Sequence, residues 1–188
     1  MSIAIIFGLC GVLLGVLVAG FLIGAYNKLV QLRELVKNGF SQIDVQLKRR
    51  HDLIPNLVNT AKGYMEHEKE TLEGVIKARQ QAVDASNIKD KQAAENFLSQ
   101  TLRSLFAVTE NYPNLKADHQ MMQLHEELIS TENKITFARQ YYNDEVTRLN
   151  VAVKVFPDNI VAGMFHITPE EFFELEDETE RKVPEVKF

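Results

Sequence analysis

The chain has 188 residues, a net charge of −5 and one cysteine, Cys10. The acidic balance argues against nucleic acid as the main partner, and a lone cysteine excludes an intrachain disulfide framework or a cysteine-based zinc site. Five prolines, no tryptophan and 25% charged residues fit long helices.

Residues 3–26 read IAIIFGLCGVLLGVLVAGFLIGAY, and no charged side chain appears before Lys28. A spanning helix needs about 20 apolar residues, and soluble core helices do not stay apolar on all sides for so long. The run is read as an uncleaved transmembrane helix: the residues before it lack the basic n-region of a signal peptide, and Leu9 before Cys10 does not suit lipidation. Lys28, Arg33 and Lys37 follow the span, so positive-inside counting places the N-terminus outside and the bulk of the chain in the cytoplasm. Gly8, Gly11, Gly15 and Ala19 share one face, a small-residue stripe suited to packing against another membrane helix.

From Lys28 the apolar positions keep helical time through Leu29, Leu32, Val36, Phe40, Ile43, Leu47, Ile54, Leu57 and Ala61. No breaker separates this stripe from the span, so the two are expected to form one helix. It is kinked at Pro55 and closed by Gly63 at C′; an uninterrupted run to Ser86 is the rival reading. A short helix over 66–85 turns Leu72, Val75, Ile76, Arg79, Ala82 and Val83 inward, and a third over 89–111 turns Ala94, Phe97, Leu98, Thr101, Leu105 and Val108 inward. Tyr112-Pro113-Asn114 restarts the chain, with Asn114 or Asp118 as cap. A fourth helix over 115–155 follows. Met121, Leu128, Ile135, Tyr142, Leu149 and Phe156 recur in it at sevens, with Leu124, Ala138 and Ala152 between.

The expected fold is all-α: an N-terminal transmembrane helix continuous with an antiparallel up-down-up-down four-helix bundle of two long and two short helices. Three parts follow, namely 1–27 as the N-terminal segment and span, 28–157 as the bundle, and 158–188 as a C-terminal segment covering the two-helix part of the bundle or a neighbouring copy. In that last segment Thr168-Pro169-Glu170-Glu171 predicts a short helix carrying Phe172, Phe173 and Leu175, with a terminal strand or clamp at Val186 and Phe188.

Signals for chemistry fail. His67-Glu68 and His125-Glu126 open HExxH-like strings that close on Thr71 and Ile129, and no histidine is preceded by Glu at the spacing of a di-iron motif. No catalytic, cofactor-binding or metal-ligating residue is therefore assigned. The polar residues of the long helices point instead to a cross-helix network that fixes register. If residues on the first and fourth helices meet when their numbers add to about 176, Asp44 faces Glu132 and Asn133, while Arg49 and Arg50 face Glu126 and Glu127. The bland alternative is an exposed ion-pair face of little energetic weight.

These same stretches carry a likeness. They are Tyr26-Asn27-x-Leu29-Val30-x-Leu32-Arg33, the block 41–58 (SQIDVQLKRRHDLIPNLV), Glu95-Asn96, Tyr112-Pro113-x-Leu115-Lys116, Thr131-Glu132-Asn133-x-Ile135, Ala138-Arg139-x-x-Tyr142-Asn143, Phe156-Pro157 and Pro184-x-Val186-x-Phe188. Together they resemble the LemA family of bacterial membrane proteins. Some of its members carry a lipidated cysteine where this chain has Ala25. The resemblance implies a single-span protein with a helical-bundle domain, no established reaction and, by analogy with one relative in magnetosome biogenesis, a membrane-organising role. The expected function is a membrane-anchored structural or adaptor protein without catalysis and with no cofactor, contacting membrane lipid and homo-oligomeric. The alternative is a regulatory subunit of a membrane protease, transporter or signalling protein, which makes another membrane protein the partner.

Overall fold

The computed structural model describes residues 2–173, with side chains from residue 6. The described chain is all-α and has six helices: α1 (Ser2–Lys62), α2 (Lys69–Asp84), α3 (Ile88–Thr109), α4 (Pro113–Lys116), α5 (His119–Ala152) and α6 (Asp158–Met164). No strand occurs among the described residues, and the expected terminal strand at Val186 and Phe188 lies outside them. The chain divides into two compact units. The first comprises Met1–Ser41 and Gln140–Phe172; the second is built on Gln42–Arg139, with Phe173.

α1 is one helix from the apolar run to Lys62, with Pro55 inside it. Its apolar stretch is the one described segment long and apolar enough to cross a membrane, and its large side chains, Phe7, Leu13 and Leu17 among them, are exposed. Such a surface is compatible with a membrane anchor, since lipid tails cover it where water cannot.

In the first unit, Ala25 and Leu29 of α1 pack with Ala152 of α5 and with Val161 and Ala162 of α6. Further along α1, a Cβ at Gly39 would lie 3.1 Å from the Tyr142 Cα, and the Phe40 and Tyr142 rings meet edge to face, 5.8 Å apart. Leu29 with Ala152 and Gly39 with Tyr142 show the two helices running antiparallel here. The pairing is offset by more than a turn from the register expected above. α5 begins only at His119, after the separate turn of α4, so the connection uses more residues than the expected register allowed. The fourth predicted helix is thus two helices. Asp118 caps the second, its Oδ1 accepting from the Met121 N–H at 3.0 Å. α5 ends at Ala152, so Phe156 falls beyond the heptad stripe and is exposed.

The segment 167–173 has no regular secondary structure, in place of the helix expected from Thr168-Pro169. Side chains of α5 take up its backbone groups. Asn150 accepts from the Glu170 N–H (2.8 Å) and donates to the Glu170 carbonyl (2.9 Å), while the Tyr142 hydroxyl donates to the Glu171 carbonyl at 2.8 Å. A local capping signature yields when a neighbouring helix supplies the hydrogen bonds. Leu175 lies outside the described residues.

In the second unit, Ile54, Leu57 and Ala61 of α1, Leu72, Val75, Ala78 and Ala82 of α2, Leu98, Leu102 and Leu105 of α3, and Met121, Leu124 and Leu128 of α5 form one core, with Met65 and Leu115. α1 stops at Lys62, and Gly63 does not adopt the left-handed C′ conformation; the Tyr64 and Met65 N–H groups both turn back to the Ala61 carbonyl. Asn87 caps α3 through the Asp90 N–H. The inward faces differ from expectation in detail. Ile76, Val83 and Phe97 are exposed, and α3 buries Glu95, Leu98, Leu102, Leu105 and Thr109.

Candidate functional site: a buried charge cluster

Spacing alone puts charge into the core of the second unit. Ile43, Leu47, Arg50, Ile54 and Leu57 recur on α1 at alternating intervals of four and three, and Glu95, Leu98, Leu102 and Leu105 do so on α3. Arg50 and Glu95 therefore occupy core-facing positions, and both are almost fully buried.

Their contacts form a connected set. One Glu95 oxygen meets His51 Nε2 at 2.7 Å, and the other accepts from Arg50 Nη1 at 3.4 Å. The same Arg50 nitrogen lies 3.1 Å from a Glu132 oxygen of α5. Arg50 Nη2 donates to Ser99 Oγ at 2.7 Å. One guanidinium thus ties α1 to α3 and α5. Removing charges from water costs several kcal/mol per ion, which only such multiple pairing offsets.

Arg139 of α5 is also buried, at 4% exposure. Its guanidinium sits 4.9 Å from the centre of the Phe173 ring, a cation–π arrangement, and its Nε and Nη2 have no protein partner. Burial lowers its pKa, an effect opposed by Glu132 and Glu95 and reinforced by Arg50.

Arg49 pairs with Glu127 at 3.0 Å, in a bridge roughly half exposed on both sides. Arg50 reaches Glu132 rather than Glu126 or Glu127. Asp44 pairs with Lys91 of α3 at 2.7 Å rather than with an α5 residue; a two-helix register left α3 out. Glu126 and Asn133 stand apart, lining a shallow surface hollow with Lys134 and Phe137. Glu95, His51, Ser99 and Arg139 were missed as network members. Glu95 and Arg50 were legible from the alternating spacing, because a charged residue on an apolar stripe is a buried charge awaiting a partner. On the membrane run, a Cβ at Gly8, Gly11 or Gly15 would meet nothing within 4 Å, and Ala19 is exposed.

Beside the cluster a hollow of about 190 Å³ is lined by Arg50, Ser99, Phe106, His125, Leu128 and Glu132. His125 stacks on Phe106 there, 4.1 Å between ring centres. Among the described residues, no three His, Cys, Asp or Glu side chains are placed to hold a metal. Both Glu95 oxygens are engaged by α1 side chains, so that carboxylate joins helices, while the carboxylate lining the hollow is Glu132, with one oxygen on Arg50.

Comparison with known proteins places this cluster in a family context. The sequence model of the LemA family matches residues 39–188, which include every member of the cluster. Protein LemA of Metamycoplasma hominis is 30% identical over 144 residues, or 74% of this chain. The chain spans 64% of that relative's length. It belongs to the LemA family.

Proposed function

We propose that this protein is a membrane-anchored structural or adaptor protein that assembles with copies of itself and organises a membrane-associated assembly without catalysing a reaction. The observation that carries the reading is α1: one helix whose first turns present apolar side chains on every side and whose later turns are knitted into a polar, charge-bridged helical unit. In this reading the span is single-pass in the cytoplasmic membrane, with the N-terminus outside and the helical units in the cytoplasm. The helices around the core of the second unit form an antiparallel up-down-up-down bundle. The open small-residue face of Gly8, Gly11, Gly15 and Ala19 is where two copies of α1 meet. The charge cluster serves as a register lock, consistent with both Glu95 oxygens being spent on α1 side chains while Arg50 also reaches Glu132 of α5.

Mass measurement of the full chain in mild detergent, over a range of concentrations, tests this. Oligomers are expected, and Gly11→Leu with Gly15→Leu should dissociate them; a monomer persisting at high concentration counts against assembly. The exposed Ile160 and Phe172 favour a second reading, a regulatory subunit docked on another membrane protein. Crosslinking in cells separates the two: links only between copies support the first, links to one other membrane protein the second.

A further inference from the structure

α6 stands beside the last turns of the apolar run. Val161 and Ala162 are buried against Ala25, Leu29 and Ala152, and Leu22 packs against the same cluster. The Tyr26 and Phe165 rings lie 4.5 Å apart. About 20 residues of helix cross the hydrocarbon core, so a span beginning at Ile3 leaves that core near residues 22–26. Whatever packs on Leu22, Ala25 and Tyr26 then sits at headgroup depth.

The other side of α6 is apolar and uncovered. Ile160, Gly163 and Met164 recur at intervals that share one helix face, opposite the buried pair. Ile160, Met164, Phe165 and the preceding Phe156 are each at least half exposed. In water such a cluster is unfavourable; at the boundary between headgroups and acyl chains it is the surface of an interfacial helix.

Charge points the same way. In an acidic chain, residues 151–167 hold a single acid, Asp158, together with Lys154 and His166. Asp158 is bound to Lys28, the first cation after the span, while Lys154 is exposed. The segment therefore offers no unpaired carboxylate to a bilayer and leaves a free ammonium for anionic headgroups.

We propose that α6, with its flanking Phe156 and Phe165, is a membrane foot. It inserts its Ile160/Met164 face into the interfacial region of the bilayer that α1 crosses, with Lys154 on anionic lipid. This rests on the membrane-anchor reading of α1. The foot gives the protein a second hold on the lipid surface, so the exit angle of α1 is set by lipid contact as well as by the span.

The test uses the full chain in vesicles of phosphatidylcholine and phosphatidylglycerol, with Cys10→Ser as background. An environment-sensitive fluorophore is placed at one introduced cysteine at a time: Ile160→Cys, Met164→Cys, Leu14→Cys or Ser41→Cys. All four positions are exposed in the chain itself, and circular dichroism verifies unchanged helix content. Lipids carry a spin-label quencher either on the headgroup or near the acyl end. Labels at 160 and 164 should be blue-shifted and quenched most by the headgroup probe, Leu14 by the acyl-end probe, and Ser41 by neither. Ser41 is 15 residues beyond Tyr26, about 22 Å along a straight helix.

Unquenched labels at 160 and 164 with a quenched Leu14 overturn the foot and leave the anchor intact. An unquenched Leu14 overturns the anchor itself. Labels at 160 and 164 that are blue-shifted, unquenched and sensitive to protein dilution assign this face to a second copy and overturn the lipid assignment.

Discussion

The Nε–H of Arg79 on α2 donates to the main-chain carbonyl of His51 on α1 at 2.6 Å. In an uninterrupted helix that carbonyl would accept from the N–H of residue 55, but residue 55 is proline and has none. A buried or half-buried carbonyl without a partner is costly. Here the guanidinium of the neighbouring helix replaces the missing donor, which allows α1 to continue through Pro55 to Lys62.

Arg79→Ala should therefore destabilise the full chain by about 1–2 kcal/mol, the cost of a lost charged hydrogen bond with its acceptor left unmet. In a Pro55→Ala background, the alanine N–H restores the helical donor and the Arg79 substitution should cost much less. Denaturant unfolding of the four proteins in a double-mutant cycle reads the coupling. Equal costs in both backgrounds would separate Arg79 from the Pro55 defect.

The Arg50–Glu95 pair is buried on both sides, with side chains 3% and 0% exposed. Glu95→Ala leaves a guanidinium in the core with one carboxylate fewer and should cost about 3–5 kcal/mol. Replacing both partners, Arg50→Met with Glu95→Leu, removes charge and counter-charge together. Its cost should fall well below the sum of the two single substitutions, read from denaturant midpoints. If the single substitutions add, the two residues are not acting as a pair.

The two preceding cases also show what was legible in the chain. The long helices were plain from apolar recurrence, and Ile54, Leu57, Ala61, Met121 and Leu128 are core residues as expected. Arg79 was correctly turned inward on α2, yet its partner is a backbone atom, which side-chain pattern does not reveal. Glu95 was passed over, although its spacing with Leu98, Leu102 and Leu105 is readable, because an apolar-only stripe on α3 starts at Ala94 and Phe97 and rotates the whole face; Phe97 is in fact exposed. Thr168-Pro169 carries a sound local helix-start signal, overridden by Asn150 and Tyr142 some 20 or more residues earlier. Each miss concerns a polar group whose partner lies on another element. Hydrophobic period reports burial, not pairing.

Gly39 and Gly74 provide a contrast in the same property. Both are helical, and alanine is ordinarily better than glycine there by about 1 kcal/mol. A Cβ at Gly74 meets nothing within 4 Å, whereas one at Gly39 would come within 3.1 Å of the Tyr142 Cα. That neighbour is main chain in the middle of α5 and has little room to retreat. Gly74→Ala should stabilise by about 0.5–1 kcal/mol, and Gly39→Ala should destabilise by about 1–3 kcal/mol, the usual range for overpacking. Thermal unfolding of both variants settles the sign. Stabilisation by Gly39→Ala would mean that α1 and α5 separate readily at this point.

Tyr142 links the same contact to pH. Burial is the main cause that raises its pKa from 10.0 to about 12, with the charges of Glu170 and Glu171 adding to it. The folded protein therefore holds the phenol proton more tightly than the unfolded chain. The group's contribution to stability is complete below pH 10 and is lost as pH rises from 10 through about 12. In an ultraviolet titration of the full chain, the last of the five tyrosines to ionise should do so near pH 12, and Tyr142→Phe should remove that step. The same variant gives up the hydrogen bond to the Glu171 carbonyl and should lose about 1 kcal/mol at neutral pH. Glu170→Gln should shift the late step downward only slightly, because desolvation outweighs the carboxylate charges. A large downward shift would instead make the acidic segment, rather than burial against α1, the main cause of the high value.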